Sequence, residues 1–467
     1  MRRALIALEV VVSAVRYWPY PIIGVLLLAV ASLVAAAYGA ARLRMGVLQH
    51  WPYGLGVLLV LVGIGSIAAY GSRPPFLTAP MRPAAVASID EFEGYLRRLI
   101  ESGDPPGVSV VVVKDGMVVY ANGFGQADGP RHVPATPDTV YRWWSVTKVF
   151  TAVATMQLHE KGLIDIDQPV RRYLPFFEVE SPSDNSRPIT IRHLLTHTSG
   201  LPDAGPEILG WIHYDGDPSM DQTALLERTL PSFRRLVGEP GSEGRYTNIG
   251  YMVLAAVVEA VAGLRYEDYV TEHILRPLGM TRSGFSYPAD LGTAEAAGSH
   301  PVDLMAIPAS FTLDLDRAVR ERAHGRLWFN HVYPDQTGPS GLLGSPRDLA
   351  RFLAALLAEG ELDGTRIITP ESVRAMNRRY VDAAQSPAPI PGVGFGLGWF
   401  HLDEGGRVSL SHGGQGTGFA SMMRLYPAEN LGIAIMANST YLGRNFGLDA
   451  VDLLGDLPWT APCDPRD

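Results

Sequence analysis

Three short groups of residues in this chain carry side chains able to do chemistry together. The first is Ser145-Val146-Thr147-Lys148, at the start of a run that is apolar on most sides through Lys161. On a helix, positions i and i+3 share a face, so Lys148 lies beneath the Ser145 hydroxyl. A hydroxyl is a weak nucleophile until a neighbouring base takes its proton. A buried lysine is such a base, because desolvation lowers its pKa. The N–H groups of a helix start favour a developing oxyanion. The same four residues also read as a helix cap followed by a surface charge, and alone they do not separate the two readings.

The second group is Tyr246-Thr247-Asn248, in a loop just before the apolar stretch NIGYMVLAAVVEAVAG. Residues two apart in an extended turn point the same way. A phenol beside a lysine ammonium is expected to have a lowered pKa and to shuttle protons. Asn248 is placed to hold Lys148 and a substrate amide or carbonyl. A surface tyrosine and a helix-capping asparagine remain the alternative. The third group is His412-Gly413-Gly414, within VSLSHGGQGTGF. Paired glycines beside a strand allow a ligand to approach the backbone closely. The N–H of Gln415 is then available, with that of Ser145, as an oxyanion hole. An edge-strand turn with a solvent histidine is the alternative.

The order Ser-x-x-Lys, Tyr-x-Asn, His-Gly-Gly, with this spacing, resembles the serine β-lactamase-like family. That family holds class C β-lactamases, penicillin-binding D,D-peptidases and related esterases and D-aminopeptidases. The stretches HLLTHTSGLP (193–202), PGSEGRYTNIGYMVLAAVVEAVAG (240–263), PSGLLGSPRDLARFLAALL (339–357) and FGLGWF (395–400) resemble it too, and the likeness covers about residues 88–455. The resemblance implies that Ser145 is the acylated nucleophile and Lys148 the base beneath it. Tyr246 matches the proton-exchanging tyrosine, and Asn248 the amide that contacts substrate and lysine. It also implies a small-molecule ester, peptide or β-lactam-like substrate and no cofactor.

His412 departs from the Lys-Thr-Gly found in many β-lactamases and D,D-peptidases. A histidine is mostly neutral at pH 7, so a fixed charge for a substrate carboxylate is missing. Ester or small-peptide hydrolysis therefore fits better than β-lactam turnover or D,D-carboxypeptidase activity. A non-catalytic penicillin-binding-like sensor is the reading from another class; it would have lost Ser, Lys or Tyr, and all three are present. His193 and His197 form a His-x-x-x-His pair with no third ligand in sight, and are read as packing residues rather than a metal site. Trp143 and Trp144 are read as walls of the cleft. The alternating Gly394, Gly396 and Gly398 do not make a nucleotide loop, because no strand-loop-helix unit surrounds them.

These groups need elements to hold them. Asp90 is expected to cap a helix through about Ser102 with Phe92, Tyr95, Leu96 and Leu99 on one face. VSVVVV (108–113) and MVVYANG (117–123), joined by Lys114-Asp115-Gly116, predict a β-hairpin. Helical patterns occupy 146–161, 220–229, 249–262, 266–275 and 346–359. Strands are predicted at 407–412, 418–426 and 431–437, and a last helix through 444–455. Strands at both ends predict an α+β fold. It has one antiparallel sheet, flanked by N- and C-terminal helices, with a mainly helical region inserted. The resemblance makes this β-lactamase/transpeptidase-like, with a hydrolase domain over 87–457.

Composition divides the chain. Its 467 residues carry a net charge of −9, with seven Arg and one acid before residue 87. The acidic body has no Lys/Arg-rich run, which argues against a nucleic-acid partner. A lone cysteine, Cys463, excludes an intrachain disulfide and a cysteine metal site. Residues 17–41 and 45–72 hold no Asp, Glu, Lys or Arg, and Tyr17, Trp18, Tyr20, Trp51, Tyr53 and Tyr70 flank their apolar cores. Each is long enough to cross a bilayer as a helix. Residues 1–72 are thus expected to be a membrane anchor with two transmembrane helices, and 73–86, with four prolines, a linker. A cleaved signal peptide is the alternative, but a signal has one short apolar core. The arginine count favours a cytoplasmic body, whereas the resemblance implies a catalytic domain outside the cytoplasm. The oligomeric state is not readable from these residues.

Overall fold

Ser88, whose hydroxyl accepts from the Glu91 N–H, starts the first helix, α1 (Ile89–Glu101). The cap therefore lies two residues earlier than the Asp90 expected from sequence. Phe92, Tyr95, Leu96 and Leu99 form its buried face. The computed structural model describes residues 82–288, 294–302, 313–383, 392–440 and 450–460. The expected membrane spans and residues 73–81 of the linker lie outside them. Among the described residues no single helix is long and apolar enough to cross a membrane.

After α1 come β1 (Gly107–Lys114), β2 (Met117–Asp128) and the short β3 (Val133–Pro134). Asp115 and Gly116 both have positive φ, the conformation a tight two-residue hairpin needs. The inserted region holds α2 (Thr147–Glu160), α3 (Ile191–Leu195), α4 (Gln222–Phe233), α5 (Asn248–Ala262) and α6 (Pro346–Leu357). The chain then returns to the sheet as β4 (Val381–Asp382), β5 (Val393–Phe395), β6 (Phe400–Glu404), β7 (Arg407–Gly416), β8 (Phe419–Tyr426) and β9 (Leu431–Ala437), and α7 (Ala450–Gly455) closes it. The sheet order is β4-β5-β6-β7-β8-β9-β1-β2-β3. The two ends of the chain meet at β9 and β1, paired antiparallel from Val108↔Ala437 to Lys114↔Leu431. This is the expected antiparallel α+β architecture.

Period-two alternation assigns each face. Val108, Val110 and Val112 of β1, with Ile433 and Ile435 of β9, pack under α1 and α7. Val111 and Val113 face the other way, onto Ala350 and Ala354 of α6. Both faces of β1 are buried, which explains its unbroken valine run. Four sheet strands escaped the sequence reading. β3, β4 and β5 are two or three residues long, and β6 (FHLDE) is half exposed. The middle region is less helical than expected, since it also holds a three-stranded sheet of Ser299–Pro301, Val319–Ala323 and Arg326–Phe329.

α2 is buried from Thr147 through Leu158. Its Phe150 ring stacks on Phe352 of α6 at 3.9 Å between centroids and meets Trp143 at 5.4 Å. The helix carrying Lys148 is thereby tied to the helix that covers the sheet. Replacing Phe352 with alanine is expected to cost ~3–5 kcal/mol, through lost apolar contact and the cavity left behind. Urea unfolding of the full-length protein measures this, and a loss below ~1 kcal/mol would show that the stack ties nothing.

Candidate active site

Ser145 sits in a single 3-10 turn, Trp144–Val146, that leads directly into α2. The turn is unusual because Trp144 has φ +49, a conformation bulky residues rarely adopt. Its surroundings hold it there. The Thr147 hydroxyl donates to the Trp144 carbonyl at 2.6 Å. The indole lies against Gly416, where an added Cβ would fall 2.3 Å from Trp144 Cε2. The effect is to lift Ser145 to the surface while residues 141–144 and 146–150 stay buried. Trp143 and Trp144 are thus not cleft walls as expected. Trp143 is wholly enclosed behind the turn, donating from Nε1 to the Gly344 carbonyl at 2.9 Å.

Lys148 is fully buried. Its Nζ lies 2.9 Å from Ser145 Oγ, 2.7 Å from Asn248 Oδ1 and 3.2 Å from the Pro339 carbonyl. None of these partners is a carboxylate. Burial therefore pulls its pKa down to about 7, with the charge of Asp203 pulling weakly the other way. The three contacts suit a neutral amine well. Two N–H bonds go to Asn248 and Pro339, and the lone pair faces the Ser145 hydroxyl.

The Tyr246 ring is 5.0 Å from Lys148 Nζ, and its phenol shares a hydrogen bond with Ser145. The expected lowering of its pKa is reversed. Burial pushes the phenol well up, and the Ser145 hydrogen bond opposes this only in part. A lysine that is itself half neutral near pH 7 is a weak source of the positive charge that lowering required. His197 packs against Tyr246 at 4.5 Å, and its Nδ1 accepts from the Thr247 N–H at 3.2 Å. Its partner in the sequence pair, His193, instead caps α3 by accepting from the Thr190 N–H. Both therefore serve packing and hydrogen bonding.

β7 forms the opposite wall. Its pairing with β6 ends at Phe400↔Ser411, so from His412 to Gly416 that edge has no strand neighbour among the described residues. Gly414 touches the Ser145 turn: a Cβ there would lie 2.0 Å from the Trp143 carbonyl and 2.9 Å from the Ser145 nitrogen. Gly413 and the exposed Gln415 flank it. His412 is 1% exposed and its ring lies 6.3 Å from Tyr246. Burial, with a smaller push from Lys148, lowers its pKa to about 3, so it is neutral at physiological pH. Its Nδ1 bonds the Gly413 carbonyl at 2.9 Å, and its buried Nε2 has no partner among the described residues. The glycines of FGLGWF are packing glycines; Gly398, with φ +87, lies against Ala152 of α2.

Two participants were not found from sequence. The Pro339 carbonyl is a backbone group, visible only as part of PSGLLG. Asp203 follows HLLTHTSGLP directly and accepts from the Asn248 backbone N–H at 2.8 Å and from Asn248 Nδ2 at 3.2 and 3.1 Å. Nothing local distinguishes it from any surface aspartate, because its partner lies 45 residues away.

Lys148 also couples stability to pH. Its folded pKa is about 7 against an ordinary 10.5, so between these values the unfolded chain binds one more proton and stability rises with pH. The stability difference between wild type and Lys148→Met should therefore climb in favour of wild type from pH 7 to about 10.5, by at most ~1.4 kcal/mol per pH unit. Denaturation of both proteins across that range checks it, and a flat difference would show that Lys148 is not held in the neutral form.

The family model Beta-lactamase matches residues 92–455. Protein flp of Staphylococcus aureus (strain MW2) is 26% identical over 356 residues, covering 75% of this chain and 63% of that protein. The chain thus spans less than two thirds of the length of this relative. A solved octameric penicillin-binding protein homologue from Pyrococcus abyssi superposes with a TM-score of 0.64 at 29% identity, over 79% of this chain and 78% of that one. EstCE1, described as a hydrolase with promiscuous acyltransferase activity, superposes at 0.60 with 26% identity, over 78% and 97%. With the family model matched across most of its length, this chain belongs to the Beta-lactamase family.

Proposed function

We propose that this protein is a serine hydrolase that cleaves esters or amides through a covalent acyl-enzyme on Ser145. The observation that carries this is the 2.9 Å contact between Ser145 Oγ and a buried Lys148 with a pKa near neutrality. As the Ser145 oxygen attacks the carbonyl carbon, its proton passes to the Lys148 amine. The neutral Tyr246 phenol, hydrogen-bonded to Ser145, relays a proton to the departing alcohol or amine. Water then attacks the acyl group by the same route in reverse and regenerates the Ser145 hydroxyl. The N–H groups of Ser145 and Gln415 hold the oxyanion, and Asn248 orients the amine. The open edge of β7 at Gly413 and Gly414 receives the substrate backbone.

Two features disfavour carboxylate-bearing β-lactams and C-terminal peptides as substrates. His412 is neutral, and no lysine stands in its place. EstCE1, a hydrolase with promiscuous acyltransferase activity, supports the acyl-transfer reading. The apolar runs 17–41 and 45–72 support a membrane anchor, and the resemblance to its family, against the arginine count, supports a hydrolase domain outside the cytoplasm.

Ser145→Ala is expected to lower hydrolysis of a short-chain p-nitrophenyl ester by at least ~1000-fold and to abolish labelling by a fluorophosphonate. Unchanged hydrolysis would remove the nucleophile. A wild-type acyl adduct from the p-nitrophenyl ester that forms on Ser145 but is never hydrolysed would favour the non-catalytic sensor. The pH profile of kcat/KM should rise through about 7 as Lys148 loses its proton. An alkaline phosphatase fused after Asp467 should be active in cells, whereas inactivity would place the domain in the cytoplasm.

A further inference from the structure

Asp203 is bound to the site by three hydrogen bonds, all from one residue. The Asn248 N–H donates to Oδ1 at 2.8 Å, and Nδ2 donates to both carboxylate oxygens at 3.2 and 3.1 Å. The loop that presents it is itself pinned. The Thr247 hydroxyl donates to the Pro202 carbonyl at 3.0 Å, and Gly200, with φ +73, has no room for a side chain against the Gly238 carbonyl. An amide can flip, and a flipped Asn248 would aim Nδ2 at Lys148, donor against donor. A carboxylate accepts only, so it holds Nδ2 on its own side and leaves Oδ1 for Lys148 Nζ at 2.7 Å.

Asp203 is also exposed. The groups that face Lys148 from the packed elements are His412 of β7, His197 after α3, Tyr246 before α5 and Tyr251 within it. Both histidines are neutral near pH 7 because burial lowers their pKa values, and burial raises both phenols. Asp203, an exposed carboxylate, is then the charged group among them. Such a cleft attracts hydrogen-bond donors and cations and repels anions.

We propose that Asp203 is a positioning residue that locks Asn248 toward Lys148 and a specificity residue that selects acyl donors bearing an ammonium group over those bearing a carboxylate. This rests on the acyl-transfer reading above and names the substrate class for that same site.

The test uses full-length protein in detergent and three aryl esters with one leaving group. Their acyl parts carry an ammonium, a neutral N-acetyl or a carboxylate group. Wild type should prefer the ammonium ester. D203N should lower the ammonium-to-carboxylate ratio of kcat/KM by about three- to fivefold. It should also lower kcat for the neutral ester, because a donor replaces one of the two oxygens that hold Asn248. On that ester its acid limb should move to lower pH by roughly half a unit, since removing a nearby negative charge favours the neutral amine of Lys148. D203E should restore the charge preference and the acid limb while kcat stays below wild type, because the longer side chain cannot rebuild the three-bond clamp. An unchanged ratio and acid limb in D203N overturns the proposal. If D203N fails to fold, D203E decides: charge preference kept with reduced kcat supports the proposal, and loss of preference or full kcat overturns it. Fluorophosphonate labelling separates the two levels. A wild type unlabelled at Ser145 means the acyl-transfer reading has failed, whereas a labelled, active wild type with no dependence on Asp203 means only this inference has.

Discussion

A buried amine with no carboxylate to neutralise it is the constraint on which this site depends. Lys148 has no exposed surface and touches a hydroxyl, an amide oxygen and a backbone carbonyl. A charged ammonium there would be costly, so the amine neutralises near physiological pH. Paired with a contacting carboxylate it would keep its charge and be no base. The surrounding fold meets that need by making α2 apolar on all sides. The threonines that share its buried surface are satisfied by main chain. Thr147 donates to the Trp144 carbonyl, Thr151 to that of Gly338 and Thr155 to that of Thr151. The turn at residues 337–341 therefore both seals the helix and supplies an acceptor to Lys148.

The second requirement is that a strand backbone touch the backbone of the nucleophile turn. β7 reaches Ser145 only because Gly414 and Gly416 have no side chains. A Cβ at the first would collide with Trp143 and Ser145, and at the second with the Trp144 indole. The left-handed Trp144 follows from the same contact. Its indole fills the space over Gly416, and a backbone in this sparsely populated region persists when its surroundings dictate it. Strain at residue 144 and the open edge from His412 to Gly416 are thus two sides of one packing solution. Together they leave the half-buried Ser145 hydroxyl accessible at the start of a buried helix.

Much of this was legible in sequence. Ser145 and Lys148 announce their contact because helical spacing is local, and the valine run of β1 announces a strand buried on both faces. The long helices and the strands β7 to β9 fall within a few residues of where periodicity puts them. What stayed hidden depends on tertiary contact. The short strands β3 to β5 carry too few residues for a period to show. Trp143 and Trp144 read as cleft walls because sequence does not say which side of a turn an indole takes. The direction of the Tyr246 shift was reversed because its reading assumed a charged Lys148, whereas burial of both groups governs. Asp203 and the Pro339 carbonyl gain their roles from Asn248 and Lys148, tens to hundreds of residues away in the chain.

The charge states leave a short proton inventory at the reacting centre. His412 and His197 are neutral because desolvation holds their pKa values low, and the Tyr246 phenol keeps its proton because desolvation raises its own. Of the groups around Ser145 with shifted pKa values, Lys148 alone changes charge near neutrality. Under the acyl-transfer proposal, one amine takes the Ser145 proton during acylation and a water proton during deacylation, with the phenol passing protons through without storing charge. A base with a pKa near the working pH suits both directions, since it gives up a proton as readily as it takes one. A fixed cation at position 412 would hold down that pKa further and would also invite an anion beside the oxyanion. The neutral histidine leaves the amine to titrate under burial and the weak pull of Asp203, so the choice of residue on β7 and the basicity of a lysine on α2 are one electrostatic decision.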